Sequence, residues 1–95
     1  MEIKLESVTA VSENEEVLEL EYFLLTEPVY RKSGELAYED YGLAVVCTCD
    51  DIEVSEYIRA ISPRVEFVKK IASIMAKNKV FPCTARNVVE DLLCI

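Results

Sequence analysis

The chain contains no histidine and no tryptophan, has only two glycines, and nowhere runs apolar long enough to span a bilayer. Without histidine, neither a Ser-His nor a Cys-His nucleophilic pair can form, and a mixed cysteine and histidine metal site is excluded. Gly34 and Gly42 stand apart, so there is no glycine-rich loop to cradle a phosphate. The opening residues, Met-Glu-Ile-Lys-Leu-Glu, lack the basic start and apolar centre of a signal peptide. No segment approaches the ~18 apolar residues of a membrane helix. These absences predict a cytoplasmic protein that stays out of the membrane, with its four cysteines held as thiols.

Basic residues are also scarce. Ten Lys and Arg face eighteen Asp and Glu, a net charge of −8 that repels phosphate backbones and argues against nucleic acid as a partner. The imbalance is uneven. Residues 1–56 hold fifteen acids against three bases, a net of −12, whereas residues 57–95 hold three acids against seven bases, a net of +4. A basic helical layer on an acidic sheet accounts for this; a cationic helix face that docks an anionic partner is the sharper alternative.

What is present is apolar material, 52% of 95 residues, which is more than one small domain readily hides. A second copy of the chain is the simplest cover, so a homodimer is expected, with an unidentified protein partner as a further possibility.

The longest uncharged run, Tyr41 to Cys49, has the β-branched and aromatic content of a strand buried on both faces. Around it the pattern predicts strands over Glu2–Val11, with a bulge near Ser7, over Val17–Tyr30 and over Leu36–Cys49. The segments Ser12–Glu16 and Arg31–Gly34 read as turns, and Pro28 marks an edge, a bulge or the end of regular pairing. Asp50–Glu53 reads as a solvated loop, and Glu56–Ile61 as a short fourth strand. Ser62-Pro63 supplies a capping hydroxyl and a first-turn proline for a helix running to about Asn78, in which Glu66 and Lys70 make an i to i+4 pair. Pro82 and Thr84 open a second helix, along which Ala85, Val88, Val89, Leu92 and Leu93 keep helical spacing. Its acids Glu90 and Asp91 oppose the helix dipole, with Arg86 placed to answer Glu90. The predicted fold is a single α+β domain over residues 1–95, an antiparallel meander of three or four strands followed by two helices packed on one face.

Alternation places Leu18, Leu20, Tyr22, Leu24, Leu43, Val45 and Cys47 beneath the helices. The opposite face carries Phe23 and Leu25 beside the small row Gly42, Ala44, Val46 and Thr48. A large aromatic next to small residues suits an isologous contact, so Phe23, Leu25, Ala44 and Val46 are the candidate interface. The four cysteines match the number of ligands in a structural zinc site, but the Cys-x-Cys spacing of Cys47 and Cys49 is not that of a knuckle. Carboxylates alternate with apolar residues as solvated positions do, so no catalytic residue, metal ligand or cofactor is assigned. Cys94 falls opposite the apolar stripe of its helix.

Asn78-Lys79-Val80-Phe81-Pro82 followed by Asn87-Val88-Val89-Glu90-Asp91-Leu92-Leu93 resembles the carboxyl-terminal signature of a family of short, uncharacterised bacterial proteins. Tyr41-Gly42-Leu43 and Ile61-Ser62 fit the same pattern. That family often has a histidine where Thr84 stands and an aspartate where Asn87 stands, and this chain departs from it at both. The resemblance supports the fold and implies no activity. The expected role is a non-enzymatic protein-interaction or regulatory module; the alternative is a thiol-based metal or redox sensor using Cys47, Cys49 and Cys83.

Overall fold

A computed structural model describes residues 2–93. Its elements follow in the order β1 (Glu2–Val11), β2 (Val17–Tyr30), β3 (Leu36–Cys49), β4 (Ile52–Ser62), α1 (Val65–Lys77) and α2 (Pro82–Leu93). The four strands form one antiparallel sheet in the order β1-β2-β3-β4, and both helices lie on one face of it. Cys94 lies outside the described residues.

Each connection is short because each turn has a defined chemistry. At Ser12–Glu16 and Arg31–Glu35 the fourth residue's amide donates to the first residue's carbonyl, and the first and fifth residues also bond. The fourth residue of such a loop must take a left-handed backbone. Gly34 meets this need at φ 91°, while Glu15 holds φ 62° with a side chain in place. Between β3 and β4 the turn is only Asp50-Asp51, with Asp50 at φ 54°. Cys49 and Ile52 already pair, so the predicted loop over Asp50–Glu53 is shorter and the fourth strand longer than their sequence pattern implies. The acidic residues there alternate with Ile52 and Val54 along a strand, and solvation of one face does not break pairing.

The first bulge falls at Leu5, between Lys4 and Glu6, rather than near Ser7. A second, larger one lies in β4, where Arg59, Ala60 and Ile61 oppose Gly42 alone and Ala60 takes φ 52°. Only glycine fits at position 42. A Cβ there would stand 2.3 Å from the Ile58 carbonyl oxygen and 2.9 Å from the Arg59 Cα. The small residue thus admits the chain's own β4 backbone, not another layer.

The core lies between sheet and helices. Leu20, Tyr22, Leu24, Leu43, Val45 and Ile58 form the floor; Val68, Ile71, Ala72, Met75, Ala85 and Val89 form the roof. Leu18 and Cys47 pack at its margin, half-buried. Each fully buried leucine contributes about 2 kcal/mol of transfer free energy.

Helix α1 ends in a Schellman motif. The Val80 amide donates to the Met75 carbonyl and the Lys79 amide to the Ala76 carbonyl, with Lys79 at φ 52°. Tyr22 fastens this end to the sheet, its hydroxyl donating to the Val80 carbonyl at 2.7 Å. The other end differs from its predicted form. The helix starts at Val65 with Arg64 as its cap, and the Ser62 hydroxyl accepts from the Arg64 amide at 3.1 Å, so serine and proline shape the preceding turn. Lys69, not Lys70, approaches Glu66, at 4.0 Å. Arg86 turns from Glu90 toward β4, pairing with Glu56 at 3.2 Å and donating to the Tyr57 carbonyl at 3.1 Å. A cross-element contact satisfies a guanidinium fork with two acceptors where the helix offers one.

Candidate interaction surface

The sheet has a second face, and among the described residues neither α1 nor α2 covers it. Register places Lys4, Phe23, Ala44 and Tyr57 in one row across the four strands of this face. Phe23 is half-buried and Tyr57 exposed, and between the two rings Ala44 sits at 1% exposure. Arg59 places its guanidinium 5.7 Å from the centre of the Tyr57 ring, within cation–π range. Lys4 and Glu21 pair at 2.7 Å on one flank, and Arg59 pairs with Glu27 on the other.

The predicted interface residues Phe23, Leu25, Ala44 and Val46 are therefore brought together on the open face. Three of them are not free, because Leu25, Ala44 and Val46 expose only 4%, 1% and 8% of their surface. At the Leu25 end of the face the β4 bulge closes over the sheet. It passes against Gly42, and Arg59 reaches across β3 to Glu27, two residues along β2 from Leu25. Accessible apolar surface on this face lies on the half-buried Phe23 and exposed Tyr57 at its centre, and on the exposed Val11–Val17 pair and Tyr38 toward its two ends. Tyr57 was not among the residues predicted for this surface, since the face it shares depends on a strand reading as short in sequence. Its alternation with Ile58, taken with Ile52 and Val54, carried the signal.

A second accessible region lies at the other end of the sheet. Strand β1 last pairs at Glu2 with Leu25, and β4 last pairs at Ser62 with Tyr41. Beyond these points β2 and β3 continue as a two-stranded arm, and the molecule reaches 54 Å in its longest dimension. Tyr30, Leu36 and Tyr38 on the arm are exposed.

The thiols face the helix side. Cys47 and Cys49 share that side of β3, and Cys83 stands exposed on the first turn of α2. Burial, followed by the nearby Cys83, pushes the Cys47 thiol up. Cys49 donates to a Glu16 carboxylate oxygen at 3.2 Å, and this bond, then partial burial and neighbouring negative charge, pushes its pKa up as well. Both shifts favour the protonated thiol over the thiolate that metal ligation and redox attack require. Among the described residues no three cysteine or carboxylate side chains stand close enough to hold a metal ion.

The pattern of a family of unknown function, DUF6514, matches residues 1–94. No curated protein and no solved structure matches the chain.

Proposed function

The chain belongs to that family of unknown function, DUF6514, and from its geometry we propose that it is a non-enzymatic protein-interaction module that pairs with a second copy through the open sheet face. The observation that carries this reading is the aromatic row of Phe23, Ala44 and Tyr57 on a sheet face that neither α1 nor α2 covers. An apolar centre flanked by ion pairs has the anatomy of an interface. The charges beside the row are paired within the chain, Lys4 with Glu21 and Arg59 with Glu27, so these two pairs bring no net charge to a contact between two such faces. A twofold axis through the row lets each copy set a ring beside the other's Ala44.

The same reading takes the protein to be cytoplasmic, where Cys47, Cys49 and Cys83 stay reduced. They are free thiols in the structure, and no helix among the described residues is long and apolar enough to cross a membrane. The sensor alternative has less support, since the environments of Cys47 and Cys49 hold their protons on.

Light scattering on the purified chain at micromolar concentration tests the contact. The expected mass exceeds one chain, and Phe23→Lys lowers it while the thermal melt stays cooperative. An unchanged mass with Phe23→Lys removes this face from consideration.

A further inference from the structure

The arm bears a second exposed apolar surface. Along β2, Leu24, Thr26, Pro28 and Tyr30 alternate onto the side of the sheet that the helices cover, and Leu36 pairs with Tyr30 at the tip. Tyr30 and Leu36 are 61% and 53% exposed although each is large and apolar. At the arm's base, on the same side, a cleft of about 370 Å³ opens toward the start of α1. Ile3, Leu24, Tyr41 and Val65 line it, with the exposed side chains of Lys69 and Glu39 at its rim.

Strand addition is not what this arm is built for. Pro28 lies on the stretch of β2 that β1 leaves uncovered, where it offers no amide to an incoming strand. On the opposite edge an extra residue in β3, Ala37, bulges the ladder between Leu36 and Tyr38. Proline and bulges are the means by which edges are blunted. With both edges blocked and its faces bare, the arm is left to bind through side chains.

We propose that the tip of each arm seats Tyr30 and Leu36 in the base cleft of a second copy, reciprocally about a twofold axis. The spans match. Six residues separate Tyr30 from Leu24, about 20 Å at the rise of a strand, so two arms laid antiparallel place each tip at the other's base. The charges match as well. Glu35 follows the turn beside the tip and meets Lys69 at the rim, while Arg31 and Lys32 in the turn meet Glu39. Lys69 is available for this, since its contact with Glu66 is only 4.0 Å and exposed. A two-stranded ribbon alone in water is marginally stable, and a partner over its apolar side supplies the cover that β1 and β4 withhold.

This contact does not rest on the open-face pairing. Both together join face-paired dimers into a larger even-numbered assembly. The test is sedimentation velocity at high micromolar concentration, with Phe23→Lys present in every sample to remove the face contact. The Phe23→Lys chain is expected to remain a dimer, and Tyr30→Ser with Leu36→Ser added is expected to be a folded monomer. Lys69→Glu or Glu35→Lys alone should each weaken association about tenfold, and the two together should restore it, because the exchange reverses a charge pair rather than deleting it. A monomer in the Phe23→Lys background, or charge reversals that do not rescue each other, overturns the arm contact and leaves the face reading standing. If the wild-type mass ignores Phe23→Lys but falls with Tyr30→Ser and Leu36→Ser, the face reading is overturned and the arm contact is supported.

Discussion

Tyr22 and Tyr30 stand on the same strand and the same side of it, yet one is fully buried and the other is 61% exposed. Their chemistry is identical; what differs is the extent of the neighbouring strands. Where β1 and β4 flank the β2–β3 ribbon, four strands make a floor wide enough for two helices. Beyond Leu25 and Tyr41 they stop, and the ribbon goes on alone. Hydrophobic residues drive burial only where the topology brings enough partners to exclude water. On the side that the helices cover, the body is therefore where substitutions act on folding, and the arm is where they act on association.

The largest effect is expected from Leu20→Asp, which places an unpaired charge beneath both helices at a residue with no exposed surface. That cost exceeds the stability of a domain of this size, so circular dichroism should show no cooperative melt. A near-native melt would mean the floor is assigned wrongly.

Next is Gly42→Ala. The new methyl meets backbone, the Ile58 carbonyl oxygen, at 2.3 Å, and backbone in a bulge cannot rotate away as a flexible side chain can. Overpacking of this kind costs about 3 kcal/mol, read as a shift of the urea midpoint at constant slope. No shift would show that Arg59–Ile61 yields freely.

Tyr22 gives a pH-dependent form of the same contrast. Burial pushes its hydroxyl up to about 12, with the nearby Cys47 adding to the shift and the bond to the Val80 carbonyl working against it. The unfolded chain ionises near 10, so this contribution is whole below pH 10 and is lost as pH rises through 12. It amounts to roughly 2–3 kcal/mol. Tyr22→Phe should abolish that alkaline step and lower stability at neutral pH by about 1–2 kcal/mol, since the Val80 carbonyl loses its donor. An alkaline melt identical in both proteins would place the titration elsewhere.

A smaller gain is expected at the end of α1. Lys79 holds φ 52° in a position that glycine takes at no steric cost, so Lys79→Gly should add about 1 kcal/mol of stability. Tyr38→Ser on the arm should do least of all, within about 0.5 kcal/mol, because the residue is exposed and supports no layer. Hydrogen exchange sharpens the comparison, with amides of Thr26–Tyr41 expected to open more readily than those of Leu18–Leu24. Equal protection along the whole ribbon would contradict the division.

Much of this was readable in the order of residues alone. The three long strands have their predicted bounds, and the floor from Leu20 to Val45 follows from alternation, because a period of two leaves one choice of face once one side is apolar. The second helix starts at Pro82, as a first-turn proline dictates. The fourth strand was legible only in part, since its first half is acidic and reads as loop until β3 is there to pair with it. The candidate interface residues do share the face away from the helices, but three of them are less exposed than their sequence pattern implies. Leu25, Ala44 and Val46 were read as available, and nothing local to them shows the bulge of β4 or the reach of Arg59.

Sequence by itself determined the strands, the helices and the side of each strand that turns inward, because these depend on neighbours one to four residues away. Tertiary structure alone decided three things: that Gly42 receives the β4 backbone, that Arg86 leaves its helix for Glu56, and that half a ribbon is core while the other half is an arm. Each joins residues sixteen or more positions apart. Their distance in space is fixed by pairing across the whole sheet and by no pattern within any one segment.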